Sequence, residues 1–336
     1  MGWIGSMPDY ALAQQWYAKA KDHYAPAAVA SGYVFDTVDN RYQQAATDYA
    51  LAVKQGDTVG QFNLGLLYEK GKGRPVDLDQ AKALYLAAAE KGHVQSMVQL
   101  AGLYLNPQSD DADPETALRW YQKAAEKGDR EALYQMGLLS ETGVELKLNY
   151  ADAVRYYKEA ALKDNDKAKL ALARMYQYGL GLPKNNEEAA RIYQDLASKQ
   201  NAFAQYQLAL LNYDGVLGDK NLSKAKQLLQ EAVNNGSLQA SKTLLRINAQ
   251  SEEQKSFIEP LMLNMPKLAD QSANLMYFNA LSAWNRGDEE FSRIILGDLL
   301  LRYPDYGPAK YVYEQLNEKS SVASGQDSTS NVAKSV

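Results

Sequence analysis

The chain has 336 residues, no cysteine and a formal net charge of −5, and 46% of its residues are hydrophobic. The absence of cysteine excludes disulfides and thiol chemistry, and no apolar run approaches the roughly 20 residues that a membrane-spanning helix needs. Basic residues are interspersed with acidic ones and form no basic stripe, which argues against nucleic-acid binding and against a basic helix on a membrane surface.

The first residues resemble an expression scar more than a secretory signal. Residues 1–7 contain no basic segment and no apolar stretch of useful length. Residues 13–20 follow the same pattern as residues 117–124, which belong to the second helix of a repeat described next. No first helix precedes residues 13–20, so we expect the chain to be part of a longer protein.

From residue 45 to residue 236 the sequence repeats every 36 residues without an insertion or deletion. An alanine column is followed four residues later by an aromatic column, and a small-residue column lies between leucine-rich columns. A period of this length indicates a solenoid, in which each repeat buries its apolar face against its neighbours. The aromatic column is Tyr49, Tyr85, Tyr121, Tyr157, Tyr193 and Leu229, and the small column is Gly65, Ala101, Gly137, Ala173 and Ala209.

One repeat, residues 60–92, predicts two helices joined by a short turn. Apolar residues recur every three or four residues before Gly71, and they do so again after the turn, as amphipathic helices require. Asp77 or Asp79 would cap the second helix at its N-terminus. Gly65 lies inside the first helix, where its small size lets another helix approach closely. We therefore predict antiparallel helix pairs.

The sequence contains 24 tyrosines, and most of them fall in columns of the repeat. We expect their rings to pack between helices with the hydroxyl groups at the surface. Packing would then explain most tyrosines without a role in binding.

The repeats resemble the Sel1-like repeat, a close relative of the tetratricopeptide repeat. The resemblance implies an all-α fold, a right-handed superhelical solenoid of antiparallel helix pairs, which acts as a non-enzymatic binding scaffold. It also implies a protein partner, such as a periplasmic cell-wall enzyme or a host factor, and a periplasmic or secreted location. Within this family, the chain is similar to the C-terminal part of large bacterial enhanced-entry proteins. The resemblance is carried by residues 64–73, 81–85 and 87–93, and it recurs at residues 120–129, 157–161 and 176–181.

The predicted domain boundaries follow from where this register stops. We assign residues 8–248 to the repeat array and residues 249–272, which two prolines interrupt, to an irregular segment that covers the end of the stack. Residues 273–317 predict a helix pair closer to a tetratricopeptide repeat, followed by a cap helix. Residues 318–336 are polar with almost no apolar side chain, and they predict disorder.

Variable columns on the first helices predict the binding surface, because first helices line the concave face of tetratricopeptide-like stacks. Four such columns mix charged, amide and aromatic groups, whereas the packing columns stay apolar or small. Arginine and aromatic residues are often energetic at interfaces. The alternative for each residue is a solvated helix face without a role in binding. The predicted partner-binding residues are Glu69, Gln95, Glu131, Tyr134, Lys167, Arg174, Tyr178, Phe203, Tyr206 and Tyr213.

No residue pattern indicates catalysis, and we predict no catalytic residue, no metal site and no cofactor. His23 lies at the end of a helix, and His93 lies in a polar turn position. Residues 109–113 are acidic but lack the glycine and the glutamate of an EF-hand. Asp113, which precedes a proline, is explained as a helix N-cap. Weak calcium binding near Asp110 remains open.

A function of a different class also remains open. The groove could bind a glycan or a peptidoglycan fragment, or turn it over, with tyrosines stacked on sugar rings. Carboxylates are abundant, but nothing distinguishes two of them as the pair that glycoside hydrolysis needs. We therefore rank a protein partner first and the glycan as the alternative.

Overall fold

The computed structural model describes residues 9–106, 112–143, 147–249, 271–285 and 287–326. Within these ranges the chain contains helices and no strand, which confirms the predicted all-α class. The helices are α1 (Tyr10–Ala20), α2 (Ala25–Thr37), α3 (Tyr42–Lys54), α4 (Thr58–Lys70), α5 (Leu78–Glu90), α6 (Val94–Tyr104), α7 (Pro114–Glu126), α8 (Arg130–Thr142), α9 (Tyr150–Leu162), α10 (Asp166–Tyr178), α11 (Asn186–Ser198), α12 (Ala202–Asp214), α13 (Leu222–Asn234), α14 (Leu238–Asn248), α15 (Gln271–Asn285), α16 (Glu289–Arg302) and α17 (Gly307–Gln326).

The helices are arranged in two compact units. The first contains Met1–Met175 and Gly179–Pro183, and the second contains Tyr176–Tyr178 and Lys184–Val336. In the first unit α2 packs on α3, α4 on α5, α6 on α7 and α8 on α9, and each of α3, α5 and α7 also packs on the helix that follows it. In the second unit every helix from α11 to α16 packs on its successor. The prediction of consecutive helix pairs is confirmed.

Two polar columns of the repeat fix where the helices begin. In each case the side chain accepts a hydrogen bond from a backbone N–H two or three residues later, which satisfies a donor that the helix itself leaves unpaired. Of the two candidates for the cap of α5, Asp77 is correct, since its Oδ1 accepts from the N–H of Gln80 at 2.9 Å. The first helices begin after Asp57, His93, Asp129, Asn165, Asn201 and Ser237, and the second helices after Asp77, Asp113, Asn149, Asn185 and Asn221.

Four of the first helices end at glycines in the left-handed conformation. Their φ angles lie between 64° and 72°, a region that residues with a Cβ atom rarely adopt. These glycines, Gly71, Gly143, Gly179 and Gly215, turn the chain toward the second helix of the pair.

The aromatic column forms the core of each helix pair. The five tyrosines of this column are at most 4% exposed. A Cβ atom built on Gly137 would lie 2.6 Å from Cδ1 of Tyr157, and one built on Gly65 would lie 2.6 Å from Cε1 of Tyr85. The first helix therefore needs a small residue where the ring of the second helix packs against it.

The prediction that the tyrosine hydroxyls reach the surface is wrong for this column. The hydroxyl groups are buried with their rings, and three of them donate to a side chain near the end of the first helix. A buried hydroxyl is costly without such an acceptor. The bonds are Tyr85 to Glu69 at 2.6 Å, Tyr157 to Glu141 at 2.8 Å and Tyr193 to Gln177 at 3.2 Å.

The C-terminal helices share one core, to which Leu245, Tyr277, Phe278, Leu296 and Val312 contribute. α15 packs on α16, and α16 packs on α17. α17 ends at Gln326, so the disorder predicted from residue 318 does not begin there. Extending an existing helix adds a hydrogen bond per residue, and a polar sequence does not prevent it.

Three predictions fall where the structure is not described. The expression scar (residues 1–7), nearly all of the irregular covering segment (residues 250–270) and the end of the polar tail (residues 327–336) lie outside the described residues. They remain predictions.

Candidate partner-binding surface

Five of the first helices carry a set of residues spaced by three, four and three positions, which places them on one side of the helix. We call these sets the first-helix stripe. Every predicted binding residue except Tyr178 belongs to it. The sets are Val59, Phe62, Leu66 and Glu69 in α4; Gln95, Val98 and Gly102 in α6 with Leu105 directly after it; Glu131, Tyr134, Leu138 and Glu141 in α8; Lys167, Leu170, Arg174 and Gln177 in α10; and Phe203, Tyr206, Leu210 and Tyr213 in α12.

In the first compact unit this stripe borders a groove of about 740 Å³, which we call the N-terminal groove. Its volume lies within the range of about 300–1,000 Å³ that is usual for ligand pockets. Tyr10, Tyr33 and Val59 in its walls are 41%, 56% and 41% exposed. The groove is therefore apolar and open to solvent. Its walls include Tyr10, Ala13 and Tyr17 of α1, Pro26, Val29 and Tyr33 of α2, Val59 and Phe62 of α4, and Gln95 of α6.

α2 belongs to the same stripe, although it is out of register by three residues. A Cβ atom built on Gly32 would lie 2.6 Å from the ring of Tyr49, which is the contact that Gly65 makes with Tyr85. The residue numbers differ by 17 in the first pair and by 20 in the second. The turn between α2 and α3 is thus three residues shorter than the turn between α4 and α5. With this offset, the positions of Val59, Phe62 and Leu66 are taken in α2 by Pro26, Val29 and Tyr33.

Most of the groove was not predicted. Of the predicted binding residues, Gln95 lines it, whereas Tyr10, Tyr17 and Tyr33 were not selected from the sequence. The strict 36-residue register begins only at residue 45, and α2 lies before it. Aligning the glycine of α2 with the small-residue column would have placed Tyr33 on the stripe.

The charged residues in the middle of the stripe are paired with one another. Lys167 Nζ lies 3.2 Å from Glu131 Oε1 and also above the ring of Tyr134, 5.6 Å from its centroid. Arg174 binds Oε1 of Glu141. Exposed ion pairs contribute at most about 1 kcal/mol, so a partner could displace the Lys167 pair. This part of the stripe nevertheless offers a partner no uncompensated charge.

Glu69 has a partner inside its own helix pair. Its Oε2 accepts the hydroxyl of Tyr85 at 2.6 Å, and burial together with this hydrogen bond raises the pKa of Tyr85 far above its ordinary value. Burial and the bond to Glu141 raise the pKa of Tyr157 in the same way. Both phenols therefore stay protonated donors at neutral pH. Glu69 and Glu141 hold the helix pairs together and are less available to a partner.

The predicted aromatic residues of the second compact unit are more accessible. Phe203 and Tyr213 are exposed and Tyr206 is partly buried, and all three lie on one side of α12. Tyr178, the last residue of α10, is 63% exposed. These residues offer aromatic surface without a charged neighbour on the α12 stripe.

The histidine and acidic positions have structural roles. His93 Nδ1 accepts from the N–H of Ser96 and lies 2.9 Å from its hydroxyl, which confirms the turn position. Burial lowers the pKa of His93. Asp113 Oδ1 accepts from the N–H of Thr116 at 3.0 Å, which confirms the N-cap. The acidic loop near Asp110 lies outside the described residues.

The described ranges contain neither a cluster of metal-ligating side chains nor a membrane-spanning helix. There, no three histidine, cysteine, aspartate or glutamate side chains come together as a metal ion would need. None of the helices in the same ranges combines the length and the apolar character required to cross a membrane.

Comparison with known proteins identifies the repeat. A Sel1 repeat protein from Oxalobacter formigenes is 31% identical, with a TM-score of 0.57, over 67% of this chain and 97% of its own. A protective antigen of uropathogenic Escherichia coli with an SLR fold is 24% identical, with a TM-score of 0.63, over 86% of this chain. The match spans 59% of the antigen's length. No curated protein matches the chain. The Sel1 repeat profile matches residues 1–23, 58–93, 94–129, 130–165, 166–201 and 202–237.

Proposed function

We propose that this chain, which belongs to the Sel1 repeat family, is a non-enzymatic scaffold that binds a protein partner along the first-helix stripe. Sel1 repeat solenoids generally act as protein-interaction scaffolds. The observation that carries the proposal is the N-terminal groove, an open apolar cleft of about 740 Å³ built from the stripe and α1.

The composition of the stripe supports a protein ligand. Exposed apolar surface with a polar rim is typical of interaction sites, and tyrosine, phenylalanine and arginine are common anchors. The stripe carries Tyr33 and Val59 at the groove and Phe203 and Tyr213 in α12. Each of these side chains is more than one-third exposed, so none is needed to fill the core.

The family resemblance also motivates a partner class and a compartment. The relatives reported above are bacterial, and one is a protective antigen of a pathogen. The partner would be a periplasmic cell-wall enzyme or a host factor, and the protein would work in the periplasm or outside the cell. Immunoblots of cytoplasmic, periplasmic and secreted fractions test the compartment. A protein confined to the cytoplasm would contradict it.

A display library of random peptides tests the scaffold function without a known partner. Enriched peptides are titrated against the wild type, against the stripe variants Val59→Gln and Phe203→Gln, and against the controls Leu162→Gln and Leu301→Gln. Leu162 and Leu301 are 88% and 83% exposed on second-helix positions. Gln95 occupies the Val59 position of the next repeat, so Val59→Gln suits the helix.

We expect a stripe variant to weaken binding about tenfold, the loss of one interface anchor, and the controls to have no effect. A selection without ligands, or ligands that ignore both stripe variants, would contradict the proposal. The glycan alternative is tested with muropeptides, followed by tyrosine and tryptophan fluorescence. Saturable muropeptide binding that the stripe variants abolish would show that the ligand of the stripe is a glycan and not a protein.

A further inference from the structure

We propose that the N-terminal groove selects a partner segment in which a lysine or arginine adjoins large apolar side chains. The inference rests on the proposed scaffold function and specifies the chemistry of its ligand. It is carried by the apolar walls of the groove and by two carboxylates at its edge.

Part of the apolar wall of the groove is formed by α1, a helix that is poorly buried. α1 contains no buried residue, and its Tyr10, Ala13 and Tyr17 line the groove. Val29 of α2 and Phe62 of α4 extend the same apolar lining. Water is released when a partner covers such a surface, which favours ligands with large apolar side chains.

The two carboxylates are Asp9 and Asp57. Each caps a helix through Oδ1, which accepts from the N–H of Leu12 at 2.9 Å in the first case and from that of Gly60 at 2.7 Å in the second. Neither Oδ2 accepts a hydrogen bond from a described residue. Each carboxylate therefore keeps an oxygen for a donor on the ligand.

The lysines near the two carboxylates lie outside the groove lining: Lys91 Nζ donates to the carbonyl oxygen of Gly56, the residue before Asp57, at 3.2 Å. The described residues that line the groove include no lysine or arginine. Its histidine, His93, is neutral at pH 7 because burial lowers its pKa. Two lysines of the neighbouring helices are engaged elsewhere: Lys21 pairs with Asp48 at 2.6 Å and Lys72 with Asp36 at 2.8 Å.

The negative charge of Asp9 and Asp57 favours basic ligands over acidic ones. A phosphopeptide, a fatty acid or an anionic lipid headgroup would bring a second negative charge to Asp9 and Asp57. A lysine or arginine would find an acceptor oxygen at Asp9 or at Asp57, and charge-assisted hydrogen bonds of this kind are the stronger ones. The groove thus differs from the middle of the stripe, where Glu131 and Lys167 already neutralise each other.

The apolar part is tested by counter-selection. Peptides are first selected from a random display library on the wild type. Those that also bind the double variant Tyr33→Gln/Val59→Gln are then removed, which leaves the peptides that need the groove. We expect these ligands to be enriched in lysine or arginine next to aromatic or aliphatic residues. Enrichment of acidic residues, or no preference for charge, would overturn the inference.

The charged part is tested with Asp9→Asn/Asp57→Asn. Asparagine caps helices about as well as aspartate, so this variant removes the charge and keeps the caps. We expect the selected peptides to bind about tenfold more weakly at low salt, with a smaller loss at high salt. A peptide whose basic residue is replaced by glutamine should bind the variant and the wild type equally.

The matched control is Asp129→Asn. Asp129 caps α8 at the repeat position that Asp57 occupies before α4, and it does not line the groove. Unchanged affinity of Asp9→Asn/Asp57→Asn, or an equal loss with Asp129→Asn, would overturn the inference. Melting curves of all three proteins confirm that the caps persist.

The outcomes separate this inference from the proposed function. If peptides lose affinity with Phe203→Gln but not with the groove variants, the scaffold function stands and the groove inference fails. If no stripe variant affects any ligand, both fail.

Discussion

Tyr157 donates its hydroxyl to Oε2 of Glu141 at 2.8 Å, and the other carboxylate oxygen of Glu141 binds Arg174. One carboxylate, which is only 9% exposed, therefore connects α9 and α8 of one helix pair with α10 of the next. The column that contains Glu69 and Glu141 thus contributes to the cohesion of the solenoid, although its variability had suggested a role in binding.

This bond predicts different costs for two similar substitutions. Tyr157→Phe removes the donor and leaves a buried carboxylate oxygen unpaired, which costs about 1–3 kcal/mol. Tyr121→Phe should destabilise the protein less. In its helix pair Leu105 occupies the position of the glutamate, and the hydroxyl of Tyr121 donates to no described residue. Urea unfolding followed by circular dichroism gives the comparison. Equal midpoints for the two variants would show that the hydrogen bond to Glu141 contributes nothing.

The small-residue column predicts a severe effect at Gly137. A Cβ atom there would already lie 2.6 Å from Cδ1 and Cε1 of Tyr157, so Gly137→Leu must force α8 and α9 apart. Overpacking of this kind typically costs about 1–3 kcal/mol. Lys163→Leu adds similar bulk at an exposed position and should change little. If the two variants melted at the same temperature, the packing face of α8 would be assigned wrongly.

Gly102 predicts an effect of the opposite sign. It lies inside α6, is exposed, and a Cβ atom there would lie 3.6 Å from the hydroxyl of Tyr121, which is an ordinary contact. Gly102→Ala should therefore stabilise the protein by about 0.5–1 kcal/mol through helix propensity. Gly137→Ala should destabilise it. Thermal melts of both alanine variants decide the matter, and a shift in the same direction would contradict this account.

The fold was largely predictable because burial requires the same residue type at the corresponding position of every repeat. The columns that contain Tyr85 and Gly65 identify the packing partners from their periodicity alone. The acceptor of the buried hydroxyl was not predictable in the same way. Glu69 looks like an exposed side chain in the sequence, since nothing in the pattern of one helix shows that it meets Tyr85 of the next.

The N-terminal groove was less predictable for a related reason. A turn that is three residues shorter moves α2 out of register, and periodicity alone then hides Val29 and Tyr33. α1 contributes Tyr10 and Tyr17 from a helix that lies before the strict repeat. Such a groove depends on the way several helices meet, which a column of one repeat does not encode.

The N-cap at His93 predicts a dependence of stability on pH. Its Nδ1 accepts from the N–H of Ser96 at 3.3 Å, and its ring lies 5.2 Å from that of Phe62. Protonation of Nδ1 would remove the acceptor, and burial lowers the pKa of His93 in the folded protein. In the unfolded chain the pKa is near 6.5. As the pH falls below about 6.5, the unfolded state binds more protons than the folded state, so the folded state loses stability.

The matched variant is His93→Asn. Asn165 and Asn201 cap α10 and α12 at the same repeat position, so asparagine keeps the cap and does not titrate. We expect the melting temperature of the wild type to fall more steeply than that of His93→Asn between about pH 7 and pH 5. Above pH 7 the difference between the two proteins should be constant, because histidine is neutral in both the folded and the unfolded state. Melting curves that stay parallel across the whole range would mean that His93 titrates equally in both states, and the cap would then have no share in the acid response.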